Sequence, residues 1–273
     1  MRALYVDLDG TLLGRAGSLL HDGEGAVSLL GARAVEACHR AGVELVPVSG
    51  RRGTNVREDA RLLGATSFVF EAGACVVLDG EEHWLTAPWL PREGASVHEQ
   101  LAATGAPGLL LERYAGRLEL HAPWDVDREV SHLFRGLVDA AEAEALLEAA
   151  GHRDLRLVDN GRADRRSPAL AGLEQVRVYH LVPAGASKAA AVAAHRRMRG
   201  YAREDCVAVG DSREDLRMAP QTGAFWLVAN ALEDDPSLRD ELAGVPGLRV
   251  ADGAHGAGVY EAVVSTLAVG RGA

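Results

Sequence analysis

Short apolar runs alternate with segments of helical period at both ends of this chain, and no other feature restricts its fold as much. Residues 3–6 are continuously apolar, as a strand buried on both faces of a parallel sheet must be. Residues 26–41 have helical period, with Val27, Leu30, Ala34 and Cys38 on one face, and stop at Gly42. The strand pattern repeats over 43–48, the helix pattern over 54–63 before Gly64, and the strand pattern again over 67–70. Past residue 183 the alternation returns, with helices expected over 187–199, 214–219, 236–243 and 259–268 and strands over 206–209, 225–228 and 248–251. Such alternation predicts an α/β fold, a Rossmann-like doubly wound parallel sheet.

The middle of the chain reads differently. Residues 75–78 and 82–85 flank Asp79-Gly80, a hairpin signal. Residues 109–114 and 117–121 flank Ala115-Gly116 and predict a second hairpin, with a helix over 95–103 between the two. A helix over 140–150, strands over 155–158 and 176–181, and a mobile loop over 162–171 complete this part. Strand pairs followed by helices predict a separate α+β module. The expected division is a core of residues 1–80 and 184–273 with residues 81–183 inserted.

At 273 residues the chain is long enough for a main domain and a smaller one, and 48% hydrophobic residues supply a core. A net charge of −10 argues against nucleic acid and anionic membranes as partners. It also requires local positive charge wherever an anionic ligand binds. Cys38, Cys75 and Cys206 are widely spaced, without a CxxC, and read as reduced, packed thiols. The N-terminal apolar run is too short for a signal peptide and no apolar stretch approaches ~18 residues, so the expected location is cytoplasmic.

The chemistry gathers at strand ends. Asp7-Leu8-Asp9-Gly10-Thr11 follows the first strand, and open parallel sheets bind ligands beyond the carboxyl ends of their strands. A bare D-x-D is usually a solvated acidic turn; behind a buried strand and before Gly-Thr-Leu-Leu it reads as a site. Gly10 lets a ligand approach the backbone, and Thr11 offers a hydroxyl. Gly210-Asp211-Ser212-Arg213-Glu214-Asp215 follows another buried strand, with Asp211 and Asp215 on one side of a first helical turn. Alone, Asp211 or Ser212 could simply cap that helix. Together with Asp7 and Asp9 they crowd four carboxylates, which calls for a cation, and oxygen-only ligands suit Mg2+. Ser49-Gly50-Arg51, after the second strand, offers a hydroxyl and an N–H to phosphate oxygens, although an ordinary strand-to-helix turn has the same composition. Lys188, the only lysine among 29 basic residues, lies in the first turn of a helix, where the dipole disfavours it unless an anion is near.

Asp7-Leu8-Asp9-Gly10-Thr11, Ser49, Lys188 and Gly210-Asp211-x-x-x-Asp215, in this order, resemble the four motifs of the haloacid dehalogenase-like (HAD) phosphatase superfamily. The insertion between the second and third motifs resembles members with a C2-type cap, in particular the Cof-like and sucrose-phosphatase or mannosyl-3-phosphoglycerate-phosphatase group. Glu71-Ala72-Gly73-Ala74 is similar to that group's E-N-G-A segment, and Pro183-x-x-x-Ser187-Lys188 to its approach to the third motif. The resemblance spans the whole chain.

It implies a Mg2+-dependent phosphomonoesterase acting on a small phosphorylated metabolite, a sugar phosphate or phosphoglycerate-type compound. Asp7 would attack phosphorus and form an aspartyl-phosphate, while Asp9 serves as acid and then base. Asp7, the Asp9 carbonyl and Asp211 would hold the metal with support from Asp215. Ser49, Gly50, Lys188, Gly10 and Thr11 would surround the phosphate, with Arg51 and Asn230 near the substrate. Cap arginines Arg113, Arg117, Arg128 and Arg135 are candidates for a second anionic group, although each reads more readily as solvated surface. A monomer or homodimer is expected. Ala72 stands where the group usually has Asn, Glu214 where it usually has Asn and Ser212 where it often has Gly, so the metal's surroundings and the substrate are in question. The alternatives are a phosphomutase, which shares the aspartyl-phosphate, and a non-catalytic Mg2+- or phosphate-binding switch.

Overall fold

A computed structural model of the chain describes residues 1–163 and 167–269. The first part runs β1 (Ala3–Val6), α1 (Leu30–Arg40), β2 (Glu44–Pro47), α2 (Gly53–Leu63), β3 (Ser67–Phe70), β4 (Cys75–Leu78) and β5 (Glu81–Trp84). The insertion contributes α3 (Val97–Ala103), α4 (Ala106–Arg113), β6 (Leu118–Leu120), β7 (His132–Gly136), α5 (Ala140–Ala149), β8 (Leu155–Arg162) and β9 (Arg177–Pro183). The return contributes α6 (Lys188–Arg199), β10 (Cys206–Gly210), α7 (Arg213–Leu216), β11 (Ala224–Leu227), α8 (Asn230–Asp234), β12 (Leu248–Val250) and α9 (His255–Val269).

The core sheet is parallel, in the order β12-β11-β10-β1-β2. A parallel bridge between Val48 and Val69 leads from it to the antiparallel β3-β4-β5. Side-chain alternation divides β1 between the two faces. Ala3 and Tyr5 pack with Ala191 and Val192 of α6, while Leu4 and Val6 pack with Ala34 of α1 and Val263 of α9. Burial on both faces is why β1 and β10 carry no charged residue. In the cap, the antiparallel sheet β6-β7-β9-β8 puts Phe134, Leu157, Tyr179 and Leu181 against Leu101, Leu110 and Leu147 of the helices.

The fold is the expected doubly wound core with an inserted α+β cap, and several local expectations change. The first half of the second predicted hairpin is helix α4: Gly105 caps it, Pro107 sits in its first turn, and the run Leu109-Leu110-Leu111 fits either period. The actual partner of β6 is β7, whose His132 and Arg135 mask the strand pattern. The helix expected over 236–243 is a tight 3₁₀ segment, Pro236–Glu241, and that over 214–219 shrinks to α7. Of the loop read as mobile over 162–171, residues 164–166 lie outside the described residues, and Ser167 caps a 3₁₀ turn, Pro168–Leu170.

Candidate active site

β1 and β10 are neighbours in register, Val6 opposite Val209, and the Asp7 N–H donates to Val209 O at 3.1 Å. Adjacent parallel strands that end together bring Asp7 and Asp211 to one point. Asp215 joins them from α7, and carboxylate oxygens of these three residues lie within 4.8 Å of one another. Ser212 and Asp215 form a capping box, and Asp215 Oδ2 also accepts the Asp211 N–H, so Asp215 organises the turn that carries Asp211.

Lys188 reaches this cluster from the first turn of α6. It is 1% exposed, and its Nζ donates to Asp7 Oδ1 at 2.6 Å and to Asp215 Oδ1 at 2.7 Å. Gly73 makes the approach possible: a Cβ there would lie 2.1 Å from the Ser187 carbonyl. Thr11 donates to Asp211 Oδ1 at 2.8 Å. Gly10, at φ +83°, passes so close that a Cβ would sit 2.4 Å from Asp211 Oδ2. Asn230 ties two loops together behind the site, donating to Gly10 O and accepting the His255 N–H.

Two buried carboxylates, Asp7 and Asp215, and the partly buried Asp211 face one ammonium among the described residues. Burial, opposed by Lys188 and reinforced by Asp215, pushes Asp7 up to about 7. Burial and then the charges of Asp7 and Asp215 push Asp211 well above the usual carboxylate range. Burial alone would lower the Lys188 ammonium, yet Asp215 and Asp7 hold it above the usual lysine range. The set carries more negative charge than Lys188 offsets and offers only oxygen donors, which fits a hard divalent cation.

Asp9 is placed differently. Its carboxylate, 56% exposed, turns away from the cluster onto Arg51, whose Nε and Nη2 donate to it at 2.7 and 2.5 Å. Arg51 Nη1 meanwhile holds Asp59. Ser49 is buried beside Arg51, its Oγ accepting the Arg51 N–H at 3.2 Å. Arg113 pairs with Glu142, Arg117 donates to Leu137 O and Arg135 pairs with Glu119; none of these three touches the carboxylates. Arg128 is buried and donates to Gly50 O at 3.2 Å and Ser131 Oγ at 2.9 Å. Glu214 lies 2.9 Å from Arg156 of β8 and so joins core to cap.

Residues that sequence reasoning passed over crowd the seam between cap and core. Glu71, fully buried, accepts the N–H groups of Glu129, Val130 and Ser131 and the Ser131 hydroxyl. His180 and Asn160 lie over Gly50. The one signal for this seam was the Glu71-Ala72-Gly73 segment; nothing in the sequence marked Ser131, Asn160 or His180.

No family model matches the chain. Two curated relatives are named phosphoglycolate phosphatase. One, from Methanothermobacter thermautotrophicus, is 27% identical and aligns over 96% of this chain and 97% of the relative. The other, from Archaeoglobus fulgidus, is 26% identical over 96% and 95%. Among solved structures, a sucrose-phosphatase from Synechocystis bound to sucrose and phosphate superposes with a TM-score of 0.63 at 15% identity, over 97% of this chain and 98% of that one. A haloacid dehalogenase-like hydrolase from B. subtilis gives 0.59 at 18% identity, over 97% and 99%. The chain has the fold of the haloacid dehalogenase-like hydrolases with a C2-type cap.

Proposed function

We propose that this chain, built on the haloacid dehalogenase-like fold, is a phosphatase that hydrolyses small phosphate monoesters by attack of Asp7 on phosphorus. The observation that carries the reading is the buried Lys188 ammonium shared by Asp7 and Asp215 beside Asp211. Lys188 has three N–H donors and uses two, which leaves one for a phosphoryl oxygen. Asp7 Oδ1 is fixed by Lys188, so Oδ2 is the attacking atom. Ser49 Oγ accepts from Arg51 and keeps its own proton for a second phosphoryl oxygen. The Arg51 fork, now on Asp9, has the geometry to grip phosphate bidentately. An arriving ester that takes over Arg51 frees Asp9 to take up a proton from solvent and pass it to the leaving oxygen, and then to accept a proton from the water that releases phosphate from Asp7.

Asp7, the Asp9 carbonyl and Asp211 would hold Mg2+, with Asp215 positioning both Lys188 and the Asp211 turn. When bound, Mg2+ offsets the charge of the carboxylates and the phosphoryl oxygens, so that one anion can approach another. The names of the curated relatives support a small phosphorylated metabolite as substrate. In this reading the cap starts after Trp84, because β5 pairs with β4 on the core side, and ends near Pro183. No helix among the described residues is long and apolar enough to cross a membrane.

A phosphate-release screen over many monoesters tests the reading. Turnover that requires Mg2+, stops with chelator and disappears in Asp7→Asn is expected. Full activity in Asp7→Asn, or none from the unaltered protein with any ester, would overturn it.

A further inference from the structure

On β9, Tyr179 and Leu181 point into the apolar core of the cap, so strand alternation turns His180 to the opposite face, over the Ser49-Gly50-Arg51 turn. A Cβ on Gly50 would lie 2.8 Å from His180 Nε2 and 3.1 Å from Asn160 Nδ2. Both side chains therefore close over the turn assigned above to the phosphate. Asn160 Oδ1 is shut off from solvent and has no hydrogen-bond partner among the described residues. A buried amide oxygen left empty is costly and calls for a donor.

The proton on His180 can be placed by elimination at Ser131. The Ser131 hydroxyl has one donor and two lone pairs. It donates to Glu71 Oε2 at 2.8 Å and accepts from Arg128 Nη1 at 2.9 Å. His180 Nδ1, at 3.2 Å, must then be the second donor to Ser131 Oγ. In a neutral imidazole this leaves Nε2 with a lone pair, and Nε2 has no partner among the described residues. A second proton is opposed by burial first and then by Arg128, Lys188 and His121, which hold His180 well below the usual histidine range.

We propose that His180 Nε2 and the Asn160 amide form the subsite for the leaving group, and that it takes an alcohol hydroxyl rather than a carboxylate. The proposal rests on the phosphatase reading. Over the turn Nε2 is an acceptor and Nδ2 a donor, a pair that one hydroxyl can satisfy by donating to the first and accepting from the second. A carboxylate, which only accepts, would set a lone pair against the Nε2 lone pair. The arginines around the turn are otherwise engaged: Arg51 with Asp59 and, in the phosphatase reading, with the phosphoryl group, Arg52 with Asp127, and Arg128 with Gly50 O, Ser131 Oγ and Trp124 O. His180 and Asn160 are thus specificity-determining residues held by a chain that runs from Glu71 through Ser131.

The test compares kcat/KM for glycerol 3-phosphate, 2-phosphoglycolate and p-nitrophenyl phosphate. The unaltered protein should prefer glycerol 3-phosphate to 2-phosphoglycolate by roughly tenfold or more, since a site built for a hydroxyl rejects a group that leaves its buried polar atoms unpaired. In His180→Ala and Asn160→Ala, the ratio of kcat/KM for glycerol 3-phosphate over p-nitrophenyl phosphate should fall by roughly tenfold; a purely structural role would move both substrates together. Asn160 is only partly buried near the end of β8, so its variant keeps the test open if His180→Ala does not fold. Nitrogen-15 shifts of His180 should show Nδ1 protonated and Nε2 bare. If no ester is hydrolysed, the phosphatase reading fails. If p-nitrophenyl phosphate turns over but 2-phosphoglycolate is preferred, the ratios stay put, or Nε2 carries the proton, the subsite fails alone.

Discussion

Replacing Lys188 with Met keeps much of its volume and removes the only positive charge that touches Asp7 and Asp215 among the described residues. Both contacts are short, 2.6 and 2.7 Å, and all three side chains are almost fully buried. Removing one partner of a buried ion pair costs about 3–5 kcal/mol. Total stability is only about 5–15 kcal/mol, so the variant should unfold at a clearly lower urea concentration. The sign of its pH dependence follows from Asp7. A carboxyl whose folded pKa is raised, here to about 7, stabilises the fold fully below its unfolded value and loses that contribution as pH climbs through the folded one. Lys188 works against this rise, so without it the folded value climbs further and the loss deepens. Lys188→Met should therefore be more destabilised at pH 8 than at pH 6, measured by urea titration in chelator. Adding Asp215→Asn should restore much of the stability without restoring turnover. Loss of a preorganised donor to the phosphoryl oxygens should lower kcat by about 10²–10³-fold. A variant within about 1 kcal/mol of the parent at pH 8, with phosphate release within threefold, would refute the placement of this charge; that threshold lies well under the buried-pair cost.

Asp7→Asn should abolish phosphate release and, in chelator at pH 8, raise the thermal midpoint, because it removes a carboxylate that burial disfavours. Mg2+ at about 100 times its Kd should stabilise the parent by about 2.7 kcal/mol, and calorimetry should show this gain lost in Asp211→Asn. Glu71→Ala strands three backbone N–H groups at about 1–3 kcal/mol each, so amide exchange at Glu129, Val130 and Ser131 should accelerate far more than in the core strands; unchanged exchange would show that the carboxylate does not hold the cap.

The core was legible because its strands are buried on both faces, so residues 3–6 and 206–209 carry no polar interruption, and because polar residues then follow at once at Asp7 and Asp211. Lys188 stood out by its position at a helix start. The cap was less legible. Leu109-Leu110-Leu111 satisfies either period, and β7 carries His132 and Arg135 where a strand pattern would have shown alternation. Arg128 looked like any surface arginine, since burial by a distant turn leaves no local trace. His180 lies between two core residues of a mostly buried strand, and only the seam across the core gives it a role. The orientation of Asp9 was equally hidden, because Arg51 reaches it from 42 positions along the chain.

One turn explains why the cap and the proposed catalytic groups cannot be adjusted independently. Glu71, Ala72 and Gly73 all have positive φ, +46°, +59° and +97°, and the first two lack glycine's tolerance of that region. Such strain persists only where the surroundings over-determine it. Here they do so from both sides. Gly73 presses on Ser187 and so sets where α6 begins and where Lys188 points. Glu71 draws in residues 129–131 of the cap, and Arg128 beside them donates to Gly50 O. The same carboxylate takes the Ser131 proton and thereby leaves Ser131 Oγ to accept from His180 Nδ1. The turn thus links the Lys188 ammonium on Asp7, the proposed phosphate turn and the cap residues over it. A change that relaxes it, such as Glu71→Ala, must loosen the cap and disturb Gly50 together. Docking of the cap and shaping of the proposed phosphate turn then belong to a single cooperative event.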